Sequence, residues 1–191
     1  MATIWIIFIA IAVAGWIVQG TLQSRFKKYS KIPLRNGMTG KEVAEKMLHD
    51  NGIYDVQVIS ANGFLSDHYN PAEKTVNLSP AVYSGHSIAS AAVAAHECGH
   101  AVQHATAYSM LGLRSALVPI VNISTTLSQW VILAGLGVMG FGGGNQLVLL
   151  IGIILFSAST IFSLITLPVE YDASARALKW MEASGLTGRG E

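Results

Sequence analysis

Apolar and charged positions are strongly segregated along this chain. No Asp, Glu, Lys or Arg occurs from Ser115 to Val169, a run of 55 residues. A helix needs about 20 apolar residues to cross a bilayer, so the run has room for two spans and a turn. We predict membrane spans at 116–138 and 147–167, with the glycine-rich turn GFGGGNQ at 140–146 between them and Pro168 ending the second span.

A third apolar stretch lies at residues 3–18 and is followed at once by SRFKKYSK. Charges that follow the apolar run favour an uncleaved membrane anchor over a cleaved signal peptide, in which charges precede the run. All 12 Lys and Arg residues lie within 25–114 or 176–189. The positive-inside rule then places both charged regions in the cytoplasm, with the N-terminus and the glycine turn outside.

Composition agrees with a membrane protein and excludes some partners. Hydrophobic residues make up 51% of the chain and charged residues only 12%, where soluble domains have about 25% charged residues. A net charge of +1 without a basic face excludes a nucleic-acid partner. The single cysteine, Cys98, excludes an internal disulfide.

The charged segment at 20–114 is long enough for one small cytoplasmic domain. Thr39 and Glu42 form a capping-box pattern, which predicts a helix that starts there. Alternating apolar positions at 54–59 predict a strand. An alanine-rich helix is predicted at 87–107. The expected fold is therefore a mainly α membrane protein with a small α+β cytoplasmic domain and about three transmembrane helices.

A second strand is predicted at 74–79, directly before the alanine-rich helix. We interpret it as an edge strand, which could pair with an extended peptide. The residues that would bind substrate in this way are Thr75, Val76, Asn77 and Leu78. The preceding SDHYNP stretch is predicted to be a loop that Asp67 and His68 stabilise.

The alanine-rich helix contains the sequence His96-Glu97-Cys98-Gly99-His100, which has the HExxH pattern. Residues four apart lie one turn apart on the same helix face, so two imidazoles can bind one ion. Glu97 is then placed to act as a general base on the water that the ion carries. This predicts a catalytic metal site with His96 and His100 as ligands, and this ligand type suits zinc best.

Three neighbours of the motif are assigned other roles. His104 lies about 12 Å along the helix from His96, too far for the same ion, so it is a candidate substrate-contacting or outer-sphere residue or a polar residue beyond the site. Cys98 is predicted to pack as a small apolar group. Gly99 fits close approach by another helix or by substrate, with a merely tolerated glycine as the alternative.

A catalytic zinc needs a third protein ligand. Because the chain crosses the membrane twice and returns, residues just after the last span lie on the same side as the histidines. The first charged residue there is Glu170, which we predict as the third ligand. Asp172 is its competitor, about 200° further round the helix, so only one of the two faces the ion.

The HECGH sequence, followed by Glu170-Tyr171-Asp172-Ala173, resembles the HExxH…ExxA arrangement of HtpX-like membrane metalloproteases and CAAX prenyl endoproteases. A closer resemblance is to the bacterial neutral zinc metallopeptidases of the YugP-like group. The similar passages are YSK at 29–31, TGKEVAEKML, NGIYDV, DHYNP, TVNLSP, HECGH and LPVEYDAS.

This resemblance implies a zincin-like fold, Zn²⁺ bound by His96, His100 and Glu170, and Glu97 as catalytic base. Ser174 stands where the HtpX-like pattern has an acid, so support for a histidine ligand must come from elsewhere. The YugP-like proteins also continue into a further apolar region, whereas this sequence stops at GLTGRGE.

The leading hypothesis is a multi-pass membrane zinc endopeptidase with its site at the cytoplasmic boundary and a peptide or protein substrate. Its oxyanion donor is left open among His86, His104, Tyr171 and Arg176. A non-catalytic scaffold that retains a structural metal is the alternative, although structural zinc needs no neighbouring base. A metal transporter is disfavoured because the predicted spans carry no Asp, Glu, Lys or Arg.

Overall fold

A computed structural model describes residues 2–63, 66–137 and 144–186. The chain is mainly helical with one small sheet, as predicted. The elements in chain order are α1 (Ala2–Tyr29), α2 (Gly40–Asp50), β1 (Gln57–Ser60), β2 (His68–Asn70), β3 (Thr75–Leu78), α3 (Pro80–Tyr83), α4 (Ile88–Ala105), α5 (Ser109–Gly135) and α6 (Gln146–Ala183). Two compact units result, one formed by residues up to Cys98 and from Ala177 onward, the other by Gly99–Arg176.

In the first unit, α2 starts at the predicted capping box. The Thr39 hydroxyl accepts a hydrogen bond from the Glu42 amide at 3.1 Å, and the Glu42 carboxylate accepts one from the Thr39 amide at 2.8 Å. The helix ends at Asp50 with Asn51 as its C-cap, and Gly52 follows with a φ of 73°. The buried face of α2 contributes Val43, Ala44, Met47 and Leu48 to the core of this unit.

The three strands form one sheet in the order β1-β3-β2. β1 pairs with β3 in parallel, with Gln57 opposite Thr75, and β2 pairs with β3 antiparallel, with His68 opposite Asn77. All four residues of β3 are buried. β3 therefore lies at the centre of the sheet.

The expectation that Thr75, Val76, Asn77 and Leu78 form an edge strand is wrong, because both edges of β3 are occupied by neighbouring strands. The neighbouring strand that was not predicted is β2, which forms within the SDHYNP stretch that was expected to be a loop. Strand β2 has only three residues and no alternation of apolar positions, so its sequence carries no pattern that predicts a strand. Among the described residues, β3 is paired along Thr75–Asn77 on both sides, so pairing with a substrate at a free edge is no longer the basis for substrate contacts there.

Asp67 stabilises the segment before β2, as predicted. Its carboxylate accepts hydrogen bonds from the backbone amide of Ser79 at 2.6 Å and from the Ser79 hydroxyl at 3.0 Å. His68 Nδ1 lies 2.8 Å from the carbonyl oxygen of Ser66. These contacts fix β2 beside the end of β3.

Helix α4 is terminated by a residue in the left-handed backbone conformation. Ala107 has a φ of 51°, and the amides of Ala107 and Tyr108 donate to the carbonyls of His104 and Gln103 at 3.1 and 2.9 Å. This pair of hydrogen bonds is the Schellman pattern, with alanine at the position where glycine is usual. The chain turns there and α5 starts at Ser109.

In the second unit, glycines bring α5 and α6 into close contact. A Cβ at Gly135 would lie 2.5 Å from the backbone nitrogen of Leu149, and one at Gly152 would lie 2.7 Å from the side chain of Ile132. Small residues at such contacts are typical of helices that pack within a membrane. Asn145 caps α6 by accepting from the Leu147 amide at 2.9 Å. Most of the predicted glycine turn lies outside the described residues.

Helix α6 continues through Pro168 to Ala183, so the expected end at Pro168 is wrong. Proline removes one backbone hydrogen bond and favours a kink, but helices packed against neighbours tolerate it. The segment at 169–191 is therefore not a separate helix over its described part; it continues from the apolar helix. Pro119 lies inside α5 in the same way.

Two helices of the described residues, Ser109–Gly135 and Gln146–Ala183, are long and apolar enough to cross a membrane. They overlap the spans that were predicted at 116–138 and 147–167. The predicted span at 3–18 lies in α1, where described apolar side chains such as Ile11, Trp16 and Val18 are exposed. The total number of spans stays a prediction.

Helix α4 comes very close to α6 at Gly99. A Cβ there would lie 2.5 Å from the carbonyl oxygen of Ala173, closer than any real Cβ contact. The expected close approach at Gly99 is therefore made by a helix backbone. Only glycine fits this position without moving one helix.

We predict that Gly99→Ala lowers the free energy of unfolding by about 1–3 kcal/mol, because the added methyl group forces α4 away from α6. The measurement is thermal unfolding of the full chain in detergent. Gly112→Ala is the matched control, since Gly112 lies in α5 and a Cβ there would have nothing within 4 Å; there alanine should stabilise by up to about 1 kcal/mol. Equal shifts in the two variants would contradict the packing argument.

Candidate metal centre

The two histidines of the HECGH sequence lie on one continuous helix, α4. His96 is half-buried and His100 is buried, with 6% of its surface exposed. Their four-residue spacing stacks the imidazoles one turn apart on the same face of the helix. Local helix geometry alone thus brings two nitrogen donors together.

Glu170 completes a group of three possible ligands. One donor atom from each of His96, His100 and Glu170 lies within 4.8 Å of the other two. His100 Nε2 and Glu170 Oε2 are 3.5 Å apart. Three donors on a tetrahedral zinc with bonds of 2.0–2.1 Å would be about 3.3 Å apart. Two imidazoles and one carboxylate at this spacing therefore fit zinc.

The other carboxylate oxygen of Glu170 faces a cation. Arg114 Nη2, from the second turn of α5, lies 3.7 Å from Glu170 Oε1. The two oxygens of Glu170 are thus directed to different partners, one toward His100 and one toward Arg114. Arg114 was not predicted from the sequence, although its place directly before the uncharged run was an available signal.

His100 has a side-chain partner on its own helix. Its Nδ1 lies 3.0 Å from Oε1 of Gln103, and Gln103 is completely buried. Support for a histidine ligand was expected from a residue other than Ser174, but Gln103 was not predicted as that residue. The three-residue spacing after His100 was the available signal, because residues at that spacing face each other on a helix.

Asp172 does not belong to the three-donor group. Its carboxylate accepts hydrogen bonds from Gln103 Nε2 at 2.8 Å and from Arg176 Nε at 2.6 Å. Arg176 also lies 3.4 Å from the Thr106 hydroxyl and over the ring of Tyr108. Asp172 and Arg176 therefore form a polar network with Gln103 beside the donors.

Glu97 and Cys98 lie between the two histidines in sequence, and both are buried. The Cys98 thiol donates to the carbonyl oxygen of Ala44 at 3.5 Å, within the first unit. Burial, with a smaller effect from the charge of Glu97, raises the pKa of this thiol. Cys98 thus packs as a neutral group, as predicted.

The remaining candidates lie outside the three-donor group. His104 is exposed at the end of α4. Among the possible oxyanion donors, His86 Nδ1 lies 2.7 Å from the carbonyl oxygen of Gly37, and Tyr171 is exposed. Arg114 was not among these candidates, but it contacts Glu170 of the three-donor group.

Comparison with known proteins decides the family. The family described as "Putative neutral zinc metallopeptidase" matches residues 4–191, almost the whole chain. The chain belongs to this family. The resemblance drawn from HECGH and LPVEYDAS is therefore confirmed.

A curated relative supports the same assignment within the zinc metallopeptidase family. The chain is 44% identical over 188 residues to "Putative membrane protease YugP" of Bacillus subtilis (strain 168), covering 97% of this chain and 81% of that protein. No solved structure matches the chain. The family name agrees with the zinc-type donor set found at His96, His100 and Glu170.

We predict that Glu170→Ala weakens zinc binding more than about 100-fold, beyond the 10- to 100-fold effect usual for residues that only support a ligand. The measurement is competition with a zinc chelator, using the purified full chain in detergent. Glu182→Ala is the control, since Glu182 is an exposed carboxylate on the same helix. Unaltered zinc affinity in Glu170→Ala would remove Glu170 from the site.

Proposed function

We propose that the protein is a membrane zinc endopeptidase that hydrolyses peptide bonds in peptide or protein substrates. The observation that carries this proposal is the convergence of His96, His100 and Glu170, with Glu97 adjacent in sequence to the first donor. Family membership and the membrane protease relative support both the chemistry and the location. We place the site at the membrane boundary because His96 and His100 precede α5 and Glu170 follows the apolar part of α6, and on the cytoplasmic side because of the Lys and Arg distribution.

In this proposal His96, His100 and Glu170 would hold the ion, which leaves one coordination position for water or substrate. When bound, zinc supplies a Lewis acid that lowers the pKa of its water to about 7 and polarises a carbonyl. Glu97 takes a proton from the attacking water and transfers it to the nitrogen of the leaving amine. The new C–O bond forms as the water attacks the carbonyl carbon, and the C–N bond then breaks as the carbonyl re-forms and the protonated amine leaves.

Arg114 has two roles open to it in this scheme. Its contact with Glu170 Oε1 holds that carboxylate so that Oε2 faces His100. A guanidinium 3.7 Å from one of the proposed donors would also add positive charge near an oxyanion that forms at the metal. We therefore prefer Arg114 to His86, His104, Tyr171 and Arg176 as the oxyanion-stabilising residue.

Glu97→Gln should lower peptide hydrolysis by about 100- to 10,000-fold, the usual contribution of a general base. Zinc content should stay unchanged, because glutamine leaves the three donors in place. The assay is cleavage of an unfolded protein substrate by the zinc-loaded full chain in detergent.

Glu45→Gln is the control for this experiment, since Glu45 is exposed on α2 and should retain full activity. Unchanged cleavage in Glu97→Gln would contradict the mechanism. The alternative, a non-catalytic scaffold with a structural metal, predicts instead that the zinc-loaded wild type cleaves no substrate at all.

We also propose a multi-pass arrangement with the N-terminus outside and the metal centre cytoplasmic, on the basis of the Lys and Arg distribution. In a Cys98→Ala background, Asn145→Cys at the start of α6 should react with a membrane-impermeant maleimide added to intact cells. Asn36→Cys, in the exposed loop after α1, should react only after the cells are lysed. The reverse pattern of labelling would overturn this orientation.

A further inference from the structure

Gln103 is a polar side chain with no exposed surface, and all of its described hydrogen bonds lie beside the proposed metal donors. Its Oε1 lies 3.0 Å from His100 Nδ1. Its Nε2 donates to the carbonyl oxygen of Val169 at 2.8 Å and to the carboxylate of Asp172 at 2.8 Å. The Gln103 amide therefore connects His100 of α4 to Val169 and Asp172 of α6, between which Glu170 lies in the sequence.

The partners of Gln103 determine which way round its amide lies. A backbone carbonyl can only accept a hydrogen bond, and so can a carboxylate such as Asp172. The NH₂ group of Gln103 must therefore face Val169 and Asp172, which directs its oxygen toward His100. Arg176, which donates to the same oxygen of Asp172, keeps that carboxylate in place.

The orientation of the amide in turn fixes the tautomer of His100. Because Oε1 of Gln103 accepts, Nδ1 of His100 must carry the hydrogen. The lone pair of the neutral ring is then on Nε2, the atom that lies 3.5 Å from Glu170 Oε2. Outer hydrogen bonds of this kind orient metal-binding histidines and raise their basicity.

We propose that Gln103, held by Val169, Asp172 and Arg176, is the positioning residue that presents His100 Nε2 to the metal. This inference rests on the proposed function, because it assumes that His100 is a zinc ligand. Gln103 supplies the support that an acidic residue at the position of Ser174 would otherwise give. It also sets the register between α4 and α6, so that His100 and Glu170 face each other.

The alternative is that Gln103 only holds the two helices together. Methionine has nearly the same volume and shape but cannot accept from His100 or donate to α6, so Gln103→Met tests the two roles. We expect zinc affinity to fall by about 10- to 100-fold, measured by chelator competition on the full chain in detergent. The measurement is made well below the unfolding temperature, so that a loss of stability alone leaves affinity unchanged.

A spectroscopic measurement on the Co²⁺-loaded chain gives a second readout. Because ring orientation alters the field at the ion, the visible absorption bands of bound Co²⁺ should shift in Gln103→Met. Gln129→Met, the same substitution at an exposed position in α5, is the control and should leave both affinity and bands unchanged.

Asp172→Ala is a second variant in case Gln103→Met does not fold. Alanine cannot accept from Gln103 Nε2, so the amide loses one of the two acceptors that direct its oxygen toward His100, and zinc affinity should fall by more than about threefold. Zinc affinity within about threefold of the wild type in Gln103→Met, or unshifted Co²⁺ bands, would overturn the positioning role. Unchanged zinc affinity in Asp172→Ala would overturn it as well.

The outcomes separate this inference from the proposed function. If the wild-type chain does not bind zinc, the proposed function fails. If the wild type binds zinc, Glu170→Ala loses it and Gln103→Met retains it unchanged, only the role of Gln103 fails.

Discussion

The missing side chain at Gly99 lets α4 lie against the backbone of α6 at Ala173, and the metal centre depends on that contact. His100 follows Gly99 on one helix, and Glu170 lies one turn before Ala173 on the other. Closeness of the two backbones therefore brings His100 Nε2 to 3.5 Å from Glu170 Oε2. Zinc bonds are about 2 Å long, so a larger residue at this crossing would separate the donors beyond reach of one ion.

Buried hydrogen bonds fix the orientation of the donors, in addition to the separation that the helix contact sets. Helices in contact through small residues can still slide or rotate, whereas Gln103 ties α4 to Val169 and Asp172 with two donor contacts of 2.8 Å. Glu170 lies between these two residues in sequence. Its own carboxylate is held from the other side by Arg114 of α5. The donors are thus positioned by hydrogen bonds and an ion pair, while apolar packing determines how close they come.

The two long apolar helices, α5 and α6, also bring distant residues of the candidate metal centre together. Glu170 is 70 residues after His100 in sequence, and α5 and α6 between them return the chain to α4. Gly135 and Gly152 allow those two helices to pack closely. Helix α6 is continuous through Pro168, so its apolar part leads directly to Glu170, a member of the three-donor group.

The sequence by itself determined the features that depend on local spacing. The capping box at Thr39, the pairing of His96 with His100 and the long uncharged run all follow from helix geometry and solvent preference, which act over a few residues. The position of Glu170 near the histidines was predicted from the two apolar stretches, which together return the chain to the side from which it started. Only the tertiary structure decided that β3 is central, that α6 continues through Pro168, and that Gln103 and Arg114 contact the donors. These features depend on contacts between distant parts of the chain, or on packing that offsets a local preference, and neither leaves a short-range pattern in the sequence.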